Sequence, residues 1–411
     1  MGESSTTSTS VLRSFVILFV VMPVAAAAAT TEIMGHAKLR VVSQRYPSDS
    51  LFYESFGESS TDTQGDLRLN FEHRRSGWTF NANYQLAVLN GERYSMPDDS
   101  RRLFDLTSVI DAGDTSALVH RLDRLWAGYA SEKSVIRFGR QVLSWGNGLF
   151  YTPMDLVNPF DPTAVDTEYK VGDDMLYLQY LRDNGADVQG AYVFRREPLD
   201  HDVDSAHATS AIKYHGFAGE GEFDIMVARH YGDDVLGLGA SRSFGGAQWG
   251  GDLVITTTDI DTYLQLSSNL SYSWNWVGRN MTGIIEYHFN GFGLHASDYS
   301  AASLAANPDL TRRLLRGESF ALGRHYLAAS VTVEMTPLWT VSPTLLFNAG
   351  DPSGLVQLVT QYSLSDNMTL LGSLNFPLGD NGSEFGGIES AVPGRYFSVD
   401  GGVFAQLAWY F

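Results

Sequence analysis

Three groups of residues in this sequence have types and spacing that could support catalysis or metal binding. Glu286 and His288 are two positions apart, so on an extended strand they share one face, where a carboxylate and an imidazole could exchange a proton. Segment 201–207 (HDVDSAH) offers two imidazoles and two carboxylates to a cation, and Asp259 and Asp261 could bind Ca2+. However, the pair has no identifiable nucleophile beside it, and short acidic loops need no metal. We therefore predict no catalytic residue and no metal site.

The composition excludes further chemistry. The chain has no Cys, which rules out disulfides, thiolate catalysis and a covalently attached c-type haem. It also lacks a P-loop, a dinucleotide fingerprint and a G-x-S-x-G motif. The formal net charge of −19, from 28 Lys and Arg against 47 Asp and Glu, argues against nucleic acid as a partner. We predict that the protein is not an enzyme and carries no cofactor.

Residues 1–29 predict a cleaved secretory signal peptide. Residues 15–21 (FVILFVV) form a continuous apolar run, and the alanines at 25–29 supply an A-x-A cleavage site before Thr30. The apolar stretch is shorter than the ~20 residues that a helix needs to span a bilayer. We therefore expect the mature chain, 30–411, to begin near Thr30 and to form a single domain.

Polar and apolar residues alternate along most of the mature chain. In residues 78–88 (WTFNANYQLAV) the even positions are mostly apolar or aromatic, while Thr and Asn side chains occupy the other face. The pattern recurs often enough to predict 18 strands and no helix. They are 36–42, 66–73, 78–89, 118–130, 134–142, 174–182, 186–194, 207–215, 222–230, 235–243, 247–257, 263–273, 277–290, 323–335, 338–348, 355–364, 368–376 and 396–411.

The links between these strands are sorted by length. Tight turns follow the even-numbered strands, whereas every long loop follows an odd-numbered one. The long loops are 43–65, 90–117, 143–173, 195–206, 291–322 and 377–395. Short turns at one end and long loops at the other are typical of outer-membrane barrels, and a soluble sandwich has no reason to sort its loops this way. The sequence therefore predicts an all-β, transmembrane antiparallel β-barrel of about 18 strands, within the range 16–18, in the bacterial outer membrane.

The C-terminal strand supports the same interpretation. Val403, Ala405, Leu407, Trp409 and Phe411 form one apolar face that ends the chain on an aromatic residue. Such an end is typical of the signal by which outer-membrane proteins are recognised for insertion. We predict that Phe411 is an assembly signal and that the partners are the barrel assembly machinery, outer-membrane lipid and lipopolysaccharide.

The charges that point inward should determine what such a barrel does. A barrel of 16–18 strands encloses an aqueous channel, whereas one of 8 strands is filled by its own side chains. The alternation predicts a basic wall opposite an acidic one, which would orient solutes and set ion selectivity. The alternative is that these charges only neutralise neighbours. The predicted pore-lining residues are Lys38, Arg40, Arg68, Arg137, Arg140, Glu222, Asp224, Glu286, His288 and Glu334.

Loop 143–173 is unusually rich in apolar residues and proline for an exposed loop. An exposed patch of that kind is uncommon, so we predict that the loop folds into the barrel and narrows it. Gly146 and Gly148 would permit the inward turn. The alternative is an extracellular cap that packs on other loops. The predicted constriction residues are Trp145, Tyr151, Asp155 and Asp161.

The same segment resembles a known family. The run R-x-G-R-Q-x-x-x-W-G-x-G at 137–148, followed by Pro153, Asp155 and Asn158-Pro159, is similar to that of the alginate-export-like porins and related uncharacterised outer-membrane porins. The resemblance implies a monomeric or trimeric 18-stranded pore with basic lumen residues, here Arg137 and Arg140. The remaining predicted lumen is mixed in charge, which departs from that pattern.

These observations predict a porin for passive diffusion of small hydrophilic or amphiphilic solutes, anions among them. Two alternatives stay open. The barrel could be a scaffold or sheath for a periplasmic redox or export partner, or it could be an outer-membrane hydrolase. The large number of predicted strands disfavours the hydrolase, and a lumen occupied by its own loop disfavours the sheath.

Overall fold

The computed structural model describes residues 29–197, 200–295 and 299–411. The predicted signal peptide therefore lies outside the described residues, apart from Ala29. The described chain forms one antiparallel β-barrel, in which all the long loops lie at one end and the hairpins of the other end have short turns.

The strands are numbered in chain order. They are β1 (Thr30–Arg45), β2 (Ser59–Arg75), β3 (Trp78–Asn90), β4 (Thr107–Ala112), β5 (Ser116–Ala130), β6 (Ser134–Gln141), β7 (Asp173–Leu181), β8 (Asp187–Val193), β9 (Thr209–Ala218), β10 (Gly221–His230), β11 (Asp233–Phe244), β12 (Ala247–Thr257), β13 (Thr262–Trp276), β14 (Arg279–Asn290), β15 (His325–Thr336), β16 (Trp339–Asn348), β17 (Ser353–Ser365), β18 (Met368–Leu378), β19 (Ile388–Glu389), β20 (Tyr396–Phe397) and β21 (Gly401–Tyr410). The helices are α1 (Leu51–Phe56), α2 (Ala301–Ala305) and α3 (Pro308–Arg316).

The barrel closes between the first and last strands. β1 pairs with β2 on one side and with β21 on the other, from His36 opposite Tyr410 to Arg45 opposite Gly401. The backbones of Gly35 and Phe411 extend this ladder by two hydrogen bonds of 2.8 and 3.0 Å. β4 is an extra strand paired with β5, and β19 pairs only with β20, so 18 strands form the wall. The predicted fold class is confirmed.

Side chains alternate between the two faces of the wall. Leu39, Leu67 and Val88 are exposed on the outside, whereas their neighbours Lys38 and Arg68 are buried on the inside. A barrel in a bilayer has an apolar outer face towards lipid and a polar inner face. Closure of the sheet also removes every unpaired strand edge, which lipid would not tolerate. Among the described residues, no helix has the length and hydropathy to cross a membrane.

Tight turns with positive φ connect several hairpins at either end. Ser76-Gly77, Tyr231-Gly232 and Val277-Gly278 each have two consecutive residues of positive φ, as the type I′ turns that match strand twist require. The sequence predicted the turn after β13 near Asn275, but β13 continues to Trp276 and the turn follows at Val277-Gly278.

The three helices lie in the long loops, where the sequence predicted none. α3 begins after Asn307, whose side chain accepts a hydrogen bond from the N–H of Leu310, and it ends at Gly317 in the left-handed conformation. Nine residues are too few for the helical period to stand out from an irregular loop. The capping residues Asn307 and Gly317 are a local signal of this helix, and a search for periodicity does not detect them.

Candidate functional site

The chain between β6 and β7, residues 142–172, lies against the inner face of the barrel. Its first half contacts inner side chains of β12, β13 and β14, and its second half contacts inner side chains of β1 and β2. We call this stretch the inner segment. It reaches from one wall of the barrel to another.

Asp252 on β12 holds the glycine-rich turn of the inner segment. Its carboxylate accepts hydrogen bonds from the backbone N–H groups of Asn147 (2.7 Å) and Gly148 (3.0 Å), and from the Asn147 side-chain amide (2.9 Å). Gly146 has a φ of 104°, and a Cβ there would lie 2.8 Å from an Asp252 oxygen. The glycine is therefore what allows this approach. The sequence analysis missed Asp252.

Glu286 on β14 binds the next three backbone amides. Its carboxylate accepts hydrogen bonds from the N–H groups of Leu149 (2.6 Å), Phe150 (3.2 Å) and Tyr151 (2.7 Å). Hydrogen bonds to a charged group contribute roughly 1.5–3 kcal/mol each, so Asp252 and Glu286 together form a strong anchor. The prediction that Glu286 lines an open pore is wrong, because its oxygens are used to fix the inner segment.

His288 is also occupied by the inner segment. Its ring stacks on Tyr151, with centroids 4.6 Å apart and planes 3° from parallel. The Ser267 hydroxyl donates to the Tyr151 carbonyl and shares a hydrogen bond with His288 Nδ1, each at 2.9 Å. All three side chains are buried. His288 therefore does not line the pore, and Tyr151, a predicted constriction residue, packs on the wall instead.

The first half of the inner segment forms an apolar core with β7–β12. Trp145, Met154 and Val157 are buried against inner residues such as Met175 and Met226. The Trp145 indole N–H donates to the Gln189 side chain at 2.7 Å. Trp145 is thus a core residue rather than the constriction that the sequence predicted, and this side of the lumen is filled.

The second half of the inner segment pairs with the basic wall. Lys38 Nζ lies 3.0 Å from the Asp166 carboxylate and 2.7 Å from that of Glu168, and Arg40 lies 2.9 Å from Asp166. The sequence analysis did not select these two carboxylates. The polar run DTEYK at 166–170, after a stretch rich in apolar residues, is the signal that could have found them.

Arg68 also belongs to this contact. It forms an ion pair with Asp123 of β5, and its guanidinium lies 4.1 Å from the centre of the Tyr169 ring. Its Nε atom is buried and has no hydrogen-bond partner among the described residues. One nitrogen of the Arg68 guanidinium thus remains without a hydrogen-bond acceptor.

The other two predicted constriction residues serve the inner segment itself. Asp155 is buried and forms an ion pair with Lys170, and Asp161 accepts hydrogen bonds from the backbone N–H and the hydroxyl of Thr163, both at 2.8 Å. Paired in this way, neither carboxylate narrows an open path, which corrects the prediction. Asp166 and Tyr169 face the cavity described next.

A polar cavity of about 180 Å3 lies between the basic wall and the inner segment. Four cationic side chains and two carboxylates face it, a difference of two positive charges among the facing side chains. Two more carboxylates lie behind this lining, where Glu168 pairs with Lys38 and Asp123 with Arg68 and Arg121. The other lining groups include the amides of Gln64 and Gln85. The charged residues are Lys38, Arg40, Arg68, Arg121, Asp66 and Asp166.

A second cavity of about 220 Å3 adjoins the first, because both are lined by Gln64, Gln85 and Arg121. The rest of its lining is mostly apolar and extends into the loop that follows β3. Those residues are Ala87, Leu89, Ser95, Met96, Pro97 and Val119. The two cavities together run beside β1–β5 and end at a long loop.

Arg140 does not line either cavity. It is buried between Asp174 of β7 and Asp99 of the loop after β3, at 2.9 and 2.8 Å. Burial alone would raise the pKa of Asp99, but hydrogen bonds and charge from Arg140 and Arg102 lower it to about 2. The predicted selectivity role of Arg140 is wrong because Arg140 ties a loop to the wall. Arg137 points inward, with its guanidinium 5.0 Å from the centre of the Trp126 ring.

The acidic wall that the sequence predicted does not face the cavities. Asp224 is paired with Lys213 (3.0 Å) and His215 (3.1 Å). Glu222 and Glu334 are exposed near tight turns, where Glu334 accepts a hydrogen bond from an Asn side chain. The structure therefore does not place an acidic wall opposite the basic one, since Asp224 is neutralised, Glu286 is bound to the inner segment, and Glu222 and Glu334 lie near the tight turns.

The proposed cation ligands at 201–207 do not converge. His207 pairs with Asp204 at 2.9 Å on the surface. Within residues 29–197, 200–295 and 299–411, no three His, Asp or Glu side chains are grouped so that they could hold a metal ion.

Comparison with known proteins finds likeness in structure alone. No family model and no curated protein matches the sequence. Acinetobacter baumannii OccAB4 matches with a TM-score of 0.55 at 8% identity, and Pseudomonas aeruginosa OccK2, in complex with glucuronate, with 0.54 at 9%. A BenF-like porin from Pseudomonas fluorescens Pf-5 matches with 0.53 at 7%. Each match covers 93% of this chain and 98% of the other. This chain has the fold of an outer-membrane porin.

A half-buried carboxylate with three hydrogen-bond donors lies in a long loop of this barrel. Glu384, in the loop after β18, accepts hydrogen bonds from the Tyr326 hydroxyl (2.6 Å), the Asn348 amide (2.7 Å) and the Leu322 N–H (2.9 Å). Burial raises the pKa of Glu384 to about 7, although these hydrogen bonds act in the opposite direction.

We predict that this loop opens more easily as the pH rises. In the open loop the Glu384 carboxyl has a pKa near 4.5, so the folded loop binds this proton more tightly than the open loop does. Protonation of Glu384 therefore stabilises the folded loop. This stabilisation is fully present below about pH 4.5 and is lost as the pH rises through about 7. The difference corresponds to about 3 kcal/mol. Hydrogen exchange of residues 379–400 should accelerate between about pH 5 and about pH 8 beyond the intrinsic rate. In Glu384→Gln this additional acceleration of exchange should vanish. If both proteins show the same additional acceleration, a group other than Glu384 causes it.

Proposed function

We propose that this protein is an outer-membrane channel for passive diffusion of small solutes and that it favours anions. Three features support the proposal: a closed 18-strand wall with an apolar exterior, the porin fold, and the two adjoining cavities beside β1–β5. The single observation that carries it is the net positive lining of the first cavity, in a chain whose overall charge is −19.

The inner segment determines which part of the lumen is open to solutes. It fills the side of the lumen next to β7–β12 with an apolar core, so solutes would pass beside β1–β5. There they would meet Arg40 and Arg121 together with the amides of Gln64 and Gln85. Charged groups in a narrow, poorly hydrated passage set ion selectivity more strongly than the same groups in open water.

The lining of the second cavity indicates which chemical class of solute the channel would favour. Its apolar side chains lie next to the cationic ones of the first cavity. A solute with one acidic group and an apolar portion could contact both in turn. Within the hydrophilic or amphiphilic solutes predicted from the sequence, we therefore favour amphiphilic anions.

The other functions considered from the sequence have less support. An acid–base role for Glu286 and His288 would need a group open to substrate, but both are covered by the inner segment. A sheath for a periplasmic partner would need a free lumen, and the inner segment occupies much of it. Passive transport is therefore the function that we adopt.

Kinship with the alginate-export-like porins is also part of this proposal. It rests on the run at 137–148. In this chain Gly146 of the run lets the inner segment approach Asp252, and Arg140 ties the loop after β3 to the wall. The run would therefore serve the fold of the channel rather than contact with a polysaccharide.

Removing the two carboxylates that neutralise the basic wall tests the proposal. In Asp166→Asn combined with Glu168→Gln, Lys38 and Arg40 lose their anionic partners, so we expect the reversal potential under a salt gradient to shift further towards anions. The control is Glu54→Gln with Asp183→Asn, which makes the same change in net charge at two exposed ion pairs outside the cavities. Equal shifts in both variants would show that the path does not pass Lys38 and Arg40.

A further inference from the structure

The two halves of the inner segment are held in different ways. In the first half, the backbone N–H groups of residues 147–151 donate to Asp252 and Glu286, and neighbouring side chains pack in an apolar core. In the second half, residues 163–169 form what we call the strap. Among the described residues, no backbone hydrogen bond joins the strap to the barrel wall, and no strap side chain belongs to an apolar core. The strap is therefore the half that can move at the lower cost.

Charged groups supply most of what holds the strap. Lys38 pairs with both Asp166 and Glu168, and Arg40 pairs with Asp166. Glu168 also accepts a hydrogen bond of 2.8 Å from the Tyr410 hydroxyl, and its side chain is 37% exposed. Ion pairs that water can reach are weak and are screened by dissolved ions. An anion in the lumen can therefore compete with the strap for the same cations.

The strap also covers polar atoms that have no partner. The Tyr169 ring lies 5.2 Å from the His36 ring and 4.1 Å from the Arg68 guanidinium, and its hydroxyl accepts a hydrogen bond of 3.3 Å from the Asn70 amide. In the described part of the chain, His36 Nδ1, Arg68 Nε and Asn70 Oδ1 are buried and make no hydrogen bond. Leaving buried polar atoms unpaired costs free energy, which opposes the closed position of Tyr169.

The two ends of the strap are fixed, so its movement need not unfold the rest of the inner segment. At one end, the N–H and hydroxyl of Thr163 donate to Asp161, both at 2.8 Å. At the other end, Lys170 pairs with Asp155 and donates to the Leu143 carbonyl at 2.6 Å. Only the residues between these points would have to change position.

We propose that the strap is an internal competitor for the solute and closes the channel until an anion displaces it. The acid group of the solute takes the place of the Asp166 and Glu168 carboxylates on Lys38 and Arg40. Asp166 and Tyr169 line the polar cavity, so their departure widens the path beside the basic wall. A solute shifts this equilibrium only because it binds the open form better, and an uncharged solute has no such preference. The inference rests on the anion path of the proposed function.

Spin labels on introduced thiols report the position of the strap, because the chain has no cysteine of its own. One label is placed at Thr167→Cys, an exposed strap position, and the other at Asp183→Cys, on an exposed tight turn. The folded barrel in lipid nanodiscs is titrated with sodium butyrate, at an ionic strength held constant with sodium chloride. Pulsed electron paramagnetic resonance should show a second distance population that grows with butyrate. Butyramide, the uncharged analogue, should not produce it.

The control pair places the first label in the anchored half of the inner segment. Leu149→Cys, with the same label at 183, has an exposed side chain whose backbone N–H is held by Glu286. Its distance should not change with butyrate. A strap distance that stays constant throughout the titration would overturn the inference. An equal response to butyramide, or an equal shift at 149, would overturn it as well.

Removing the strap's own charges provides the second measurement. Asp166→Asn with Glu168→Gln, in the chain labelled at 167 and 183, should show the second population without butyrate. Glu54→Gln with Asp234→Asn removes two carboxylates from exposed ion pairs and should not. A strap that keeps its original distance in the first variant, or moves equally in both, would overturn the inference.

The outcomes separate this inference from the proposed function. A strap that moves with butyrate in a barrel that conducts no ions would contradict the channel and leave the competitor role standing. An anion-selective channel whose strap does not respond to butyrate would overturn the competitor role alone.

Discussion

Excision of residues 146–168, with Trp145 joined to Tyr169 by a long flexible Gly-Ser linker, should raise the single-channel conductance several-fold. The contact of Lys170 Nζ with the Leu143 carbonyl, at 2.6 Å, lies outside the excised stretch and is retained. The excision removes the apolar core that fills the lumen beside β7–β12 and the carboxylates that cross to the basic wall.

The control for this experiment is excision of residues 391–394, an exposed turn outside the barrel, which should leave the conductance unchanged. Heat modifiability on gels would show that each variant has folded. A folded excision variant with the original conductance would mean that ions pass by a route that the inner segment does not narrow.

Replacing Arg40 and Arg121 together by Glu should reverse the ion selectivity. Both guanidinium groups line the polar cavity, and Arg121 also lines the adjoining one. The double substitution turns the net positive lining into a net negative one, so cations rather than anions would be concentrated in the path. The reversal potential under a salt gradient should change sign.

The matched control is Lys133→Glu with Arg395→Glu. These residues carry the same charge change but lie at exposed positions at opposite ends of the barrel. We expect the control to keep the original sign. A reversal in the control as well would indicate that the overall charge, rather than the cavity, determines selectivity.

The barrel could be predicted from the sequence because its signal is local and repeated. Alternation at 78–88 depends only on which face meets lipid, and the same rule applies to every strand. Because every long loop follows an odd-numbered strand, the loop lengths then indicated an antiparallel barrel with its long loops at one end. Errors at single turns, such as the one after β13, did not accumulate because each hairpin is independent of the others.

The site could be predicted only in part, because the partners of its charges come from distant segments. The inward direction of Lys38, Arg40 and Arg68 followed from parity. Their partners Asp166 and Asp123 lie in other parts of the chain, and no local pattern connects them. Periodicity gives the face on which a side chain lies, whereas neutralisation depends on the tertiary fold.

The inner segment illustrates the same limit. Its composition indicated a buried loop, but Trp145 and Tyr151 were assigned to the opening rather than to the wall. Aromatic residues in a loop pack where an apolar surface is available, and Met175 and Met226 provide it on inner faces expected to be polar. Those inner methionines are the signal that could have corrected the assignment.

Planar-bilayer recording of the purified protein under a salt gradient tests the central claim most directly. We predict discrete conductance steps and a reversal potential of the sign expected for anion preference, because cationic side chains outnumber carboxylates among those that face the polar cavity beside β1–β5. A folded barrel that conducts no current, or one whose reversal potential shows cation preference, would contradict the account.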